Sequence, residues 1–410
     1  MVEAVAQLQK GLNVLSPVSD SPSRQQRELD LRIALGPALA ATKGYSASDV
    51  GETLARAKML AEQLDRSDHL VPLLYGLWAF HFIRGEHRLA LSSAEQMEKL
   101  GEAQKNIAAS LLGKLYQGIT RFNLAEFAKA IALLNECYPL SDPARRAACA
   151  GLTAEDPYVM ALSWIATTAA GLGHIDQARE RIVEALSTAR QLKQPYSIGF
   201  ALGFASATES YTKSASEQLH YANELITLST EHDFFYLLAW GHFWRGLALT
   251  TLGEPRDGLS ALAEALSMFQ SIGAVTITAW VFETQADAYA NLGQIQEGLA
   301  CLARAAQVID STEERYTQSD MYRIHGDLLI KMGDRVSAEE DYHQALAVAR
   351  QQGAKVYELR AATSLARLWR DQGNTAEARN LLAPVYNWFT EGFDTPVLKE
   401  AKALLDELHA

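Results

Sequence analysis

The sequence predicts an all-α fold, a solenoid of about nine stacked helical hairpins. Three observations predict it. Gly253, Gly293, Gly333 and Gly373 follow one another at intervals of 40 residues. A small residue comes five positions after each, at Gly258, Gly298, Ala338 and Ala378. Beside each glycine the packing residues step by 3, 1 and 3, as in Phe282, Gln285, Ala286 and Tyr289, which traces one face of a helix.

The register extends through the rest of the chain. Gly173, followed by Ala178, lies 80 residues before Gly253. Midway stands Lys213, which keeps the helical pattern of its flanks without the glycine. Gly85 and Ala125 are 40 apart, and Tyr45 lies 40 before Gly85. From Ala125 to Gly173 is 48 residues, so an insertion of 8 interrupts the series. Turns are therefore expected near 45, 85, 125, 173, 213, 253, 293, 333 and 373. This period replaces the roughly two or three globular domains that the length alone would suggest.

Taken in order, residues 1–23 read as a half-repeat helix, VEAVAQLQKGLNVL, and a Ser/Pro-rich linker. Residues 27–390 form the solenoid. In each unit a first helix ends at a turn where glycine stops it without a Cβ penalty. Asp176, Ser216 and Ser337 suit the start of the second helix. Small residues at Gly246, Ala286, Gly326 and Ala366 let the two helices of a pair approach closely. The insertion, 139–157, has Pro-flanked ends and Arg145-Arg146 and reads as an exposed loop on the binding face or as a spacer. Asp394-Thr395-Pro396 opens a capping helix over 394–410.

This grammar resembles the tetratricopeptide repeat, with units longer than the usual 34 residues. The resemblance implies a right-handed α-α superhelix. The long units resemble those of the sensor domain of the maltose-regulon activator and its relatives. LDLRIALGPALAATKGY, VPLLYGLWAFHFIRGE and the stretch from Leu359 to Leu408 resemble the C-terminal region of large bacterial signalling proteins. Those proteins join a class III nucleotide cyclase or a kinase to a P-loop ATPase and then to repeats. Nothing in this chain matches the cyclase or ATPase parts.

Composition narrows the function classes. With 48% hydrophobic and 21% charged residues the chain is globular rather than disordered. A net charge of −12 argues against nucleic acid or an anionic membrane surface as partner. The longest nearly apolar run, Leu70 to Ile83, carries Pro72 and His81 and is too short to span a bilayer. The first residues, MVEAVAQLQK, do not read as a secretory signal. Cys137, Cys149 and Cys301 form no CxxC pair and read as reduced thiols of a cytoplasmic protein.

Catalytic grammar is missing. The chain has no GxxxxGK[ST], HExxH or GxSxG. Glu217 with His220 and Glu340 with His343 each share a helix face, but they lie three repeats apart and cannot build one metal site. No cofactor and no metal is expected.

In the tetratricopeptide family the first helices line a concave groove. The positions that the resemblance assigns to it run from apolar (Tyr75, Ala79, Phe82) through aromatic to charged. The candidate binding residues are Phe200, Tyr211, Trp240, Phe243, Trp280, Glu283, Asp287 and Arg323. Aromatics beside charges serve a binding surface as anchors and orienting groups. If the solenoid winds tightly, Trp240, Phe243 and Trp280 become core instead. The Arg360, Arg367 and Arg370 stripe reads as a carboxylate or phosphate clamp, or as a face offset by nearby acids.

The functional expectation is a non-enzymatic module that binds a peptide, a partner domain or a small effector, and regulates an attached ATPase or cyclase. The alternative is a structural scaffold that self-associates, with residues 2–15 as a pairing surface for a homodimer.

Overall fold

The computed structural model describes residues 2–149, 151–153 and 155–409. All regular structure among them is helical. After α1 (Val2–Leu15) come the pairs α2 (Pro22–Lys43) and α3 (Ser48–Gln63), α4 (Leu70–Ile83) and α5 (His87–Ala103), and α6 (Ile107–Asn123) and α7 (Phe127–Asn135). The short α8 (Pro143–Ala148) lies in the insertion. Then follow α9 (Pro157–Leu172) with α10 (Ile175–Leu192), α11 (Pro195–Thr212) with α12 (Ala215–Glu231), and α13 (Phe235–Thr251) with α14 (Pro255–Ser271). The last pairs are α15 (Thr278–Asn291) and α16 (Ile295–Thr312), α17 (Gln318–Met332) and α18 (Arg335–Gln352), and α19 (Lys355–Asp371) and α20 (Thr375–Tyr386), followed by α21 (Pro396–Glu407). Each helix packs on the next, as the repeat pattern requires. No described helix is long and apolar enough to cross a membrane.

The two helices of a pair differ in character. In α10 the buried residues Ile175, Ala178, Ile182, Ala185, Leu186 and Ala189 make one stripe, so this helix has a wet face and a packed face. In α9 every residue from Pro157 to Gly171 is buried. In α11 the same holds from Ala201 to Thr212. A helix apolar all round belongs to an inner layer covered on both sides. The first helices therefore form an inner layer and the second helices an outer one.

The turns are set by backbone sterics. Gly173 ends α9 at φ 94, in the left-handed region. In the next unit Lys213 takes the same role at φ 61. A side chain in that region costs about 1 kcal/mol. The ammonium of Lys213 compensates by reaching Glu400 at 2.9 Å.

That last contact belongs to a set that closes the coil on itself. The carbonyl of Ile83 accepts from the backbone N–H of Val275 (2.9 Å) and of Thr276 (3.2 Å), and that of Asn123 accepts from Arg315 (2.9 Å). The Ser46 hydroxyl donates to the Ile272 carbonyl. Arg88 pairs with Glu313 at 2.8 Å and Arg179 with Asp394 at 3.0 Å. Arg360 donates to the carbonyls of Ser210 (2.6 Å) and Tyr211 (3.1 Å). Early hairpins thus touch hairpins several units later. The inner layer is covered by its own coil, which is why α9 and α11 are buried all round.

Candidate functional site

Two cavities lie along the inner layer, and Trp280 of α15 stands in the wall of both. The first has a volume of about 590 Å³. Its walls are mainly aromatic: Tyr75 and Trp78 of α4, Phe200 and Phe204 of α11, and Trp240 of α13. Phe200 stacks on Phe204 at 4.7 Å, and Trp240 lies 5.3 Å from Phe204. Polar groups are few. Glu155, from the insertion, is one of them, and burial pushes its carboxyl up to about 7.

The second cavity, about 580 Å³, is lined by charges. Asp320 accepts from Arg323 at 2.5 Å and from Arg360 at 2.9 Å. Burial alone would raise the Asp320 carboxyl, but the two guanidinium groups hold it well below the usual range. Arg323 also binds Asp327 (2.6 Å), which accepts from the Tyr342 hydroxyl at 2.6 Å. Burial would likewise raise Glu400, yet Lys213 and Arg367 hold it at about 2. Glu283 and Asp287 sit one turn apart on α15 and face no such pair of cations. Burial raises both, and Glu283 accepts a 2.8 Å hydrogen bond from Thr317.

The eight candidate residues divide among three places. Phe200 and Trp240 line the aromatic chamber, and Glu283, Asp287 and Arg323 line the charged one. Trp280 lines both. Tyr211 and Phe243 line neither. They are fully buried and pack against Trp280, with ring centroids at 6.3 and 5.6 Å. As groove residues these two are corrected: closure of the coil places them in an aromatic partition beside Trp280. Arg360, Arg367 and Arg370 pair with Asp320, Glu400 and Glu407, so the arginine stripe is neutralised within the chain. Glu217, His220, Glu340 and His343 are exposed on α12 and α18.

Sequence reasoning missed Tyr45, Glu155, Tyr196, Tyr236 and Tyr316, all of which line the aromatic chamber. A signal for three of them was present, since Tyr196, Tyr236 and Tyr316 stand at spacings of 40 and 80 residues. They precede or open the first helices, a position outside the groove register that was read.

Among solved structures the chain is similar to the Rap conjugation gene regulator of plasmid pLS20 in complex with the Phr* peptide. The TM-score is 0.55 at 11% identity, over 93% of this chain and 96% of that one. A Rap protein complexed with Competence and Sporulation Factor gives a TM-score of 0.53 at 14% identity, over 84% of this chain and 98% of the other. A third similar structure is the Signal Transduction ATPase with Numerous Domains protein with a tetratricopeptide repeat sensor from Pyrococcus horikoshii. Its TM-score is 0.46 at 16% identity, over 96% of this chain and 55% of that chain. No family model matches the chain, and no curated protein does. The fold thus defines a class: the chain is an all-α, tetratricopeptide-like repeat protein.

Proposed function

We propose that the chain is a non-enzymatic binding module that takes a short peptide, or an extended segment of a partner protein, along its inner face. The observation that carries this reading is the pair of cavities sharing Trp280, one aromatic and one charged. Aromatic walls anchor apolar side chains, and a balanced set of charges orients a polar backbone or a terminus. The two Rap structures of similar fold support it, one being in complex with a peptide and the other with Competence and Sporulation Factor.

The test is a peptide-display selection on the full chain, followed by calorimetry. Trp240→Ala combined with Trp280→Ala should weaken a selected peptide by at least about tenfold, with helicity in the far ultraviolet unchanged. Equal affinity for the variant would remove the channel from the reading.

The regulatory role rests on the three stretches that resemble bacterial cyclase and ATPase signalling proteins. In this reading occupancy of the channel biases an ATPase or nucleotide cyclase joined to the repeats. Capture with the chain from bacterial lysate, scored by mass spectrometry, should recover such an enzyme. Recovery of other proteins only would count against this role.

A further inference from the structure

One carboxylate in the aromatic chamber has no counterion. Glu155 is 9% exposed and lines the chamber. Its charge bears on the hydroxyls of Tyr45, Tyr75 and Tyr196, which line the same chamber. Burial dominates its carboxyl, opposed only by its own backbone N–H, with no contribution from any cation. Among the described residues the single basic side chain in this wall is Lys43, which is exposed and paired with Asp49. The other acid, Asp233, is exposed.

A buried carboxylate is costly unless it is neutralised by a proton or a partner. Aromatic rings attract cations through their negative faces, most strongly where water is excluded. A cavity that joins the two selects by charge. An anion meets repulsion, and a neutral apolar guest leaves Glu155 uncompensated.

We propose that the aromatic chamber is a site for an organic cation, held by Glu155 among Tyr45, Tyr75 and Tyr196, with its apolar body against Phe200 and Trp240. This chemistry is shared by a free lipophilic cation and by a Lys or Arg side chain of a bound peptide. The inference rests on the reading above only in taking the inner face as a binding site.

The experiment titrates the full chain with tetraphenylphosphonium, and with neutral triphenylphosphine oxide, following tryptophan fluorescence. At pH 8 the cation should bind saturably, and Glu155→Gln should weaken it at least about tenfold, while the neutral compound binds both proteins alike. Glu155→Asp should keep the preference for the cation. In the parent chain the cation's affinity should rise between pH 6 and pH 8 as Glu155 ionises, and in Glu155→Gln it should stay flat. The groups facing Glu155 do not titrate in that interval: burial raises Tyr45, Tyr75, Tyr116 and Tyr196, and pushes the Cys149 thiol up to about 11.

No saturable binding of the cation, or equal binding by Glu155→Gln, overturns the proposal. Replacing Lys or Arg by norleucine in selected peptides separates the sources. A loss seen in the parent chain and absent in Glu155→Gln identifies a peptide side chain, and cation binding without that loss identifies a free cation. Peptide binding that ignores Glu155 while the cation fails to bind overturns this inference and leaves the peptide reading standing. Cation binding with no peptide selected does the reverse.

Discussion

Glu28 shows how one side chain carries both local and distant information. It is 5% exposed yet charged, because Arg56 binds it at 2.9 and 3.1 Å, Arg32 at 2.9 Å and Arg24 at 3.2 Å. The hydrogen bonds from Arg56 contribute most to holding its carboxyl at about 2. An unfolded glutamate titrates near ~4.3. The group is thus depressed in the fold, and its stabilisation is present above ~4.3 and lost as pH falls toward 2. Glu28→Gln should lower stability by about 2 kcal/mol at pH 7. In urea unfolding followed across pH, the gap to the parent chain should close between pH 5 and pH 2. A gap constant with pH would separate the loss from the charge. Arg24 and Arg32 stand four residues either side of Glu28, so their pairing is visible in the sequence. Arg56 lies on α3, and only the packing of α2 on α3 brings it in.

At the scale of elements, glycines do two different jobs. A Cβ on Gly113 of α6 would lie 2.4 Å from the backbone nitrogen of Glu98 on α5. Backbone cannot swing aside as a side chain does, so the helices would have to separate. Gly253, at φ 86, has open space around it. Gly113→Ala should therefore cost about 2 kcal/mol or more, and Gly253→Ala about 1 kcal/mol from strain alone. Urea midpoints of the two variants check the order; the reverse order would mean that α5 and α6 do not approach as described. The turn glycines are legible because a periodic stop is a local rule. Gly113 is not, since the reason for it lies on a neighbouring helix. Lys213 shows the two scales meeting: its turn follows the period, while its identity follows a partner nearly two hundred residues later, Glu400.

The molecule as a whole differs from an open solenoid, in which each repeat touches only its neighbours and can fray by itself. Contacts such as Ile83 with Val275 and Thr276, and Arg360 with Ser210 and Tyr211, join distant hairpins. The expected consequence is one cooperative unfolding transition, with circular dichroism and tryptophan fluorescence superimposing. Arg360→Ala with Arg179→Ala should loosen the closure. Small-angle scattering should then report a larger radius of gyration, and the two unfolding curves should separate. Unchanged scattering together with coincident curves would show that these arginines do not hold the coil shut.

The sequence by itself determined that the chain is all-α, that its helices pair and where the turns recur. Those properties follow from apolar spacing along one helix and from left-handed turn residues, both local and both repeated. It also marked the inner face as aromatic and then charged. Only the tertiary structure decided that Phe200 and Trp240 face a cavity while Tyr211 and Phe243 are buried in the partition. It alone brought Tyr45 and Glu155 into one chamber. The reason is geometric. The superhelix closes through small rotations summed over many hairpins, and no single repeat encodes that sum.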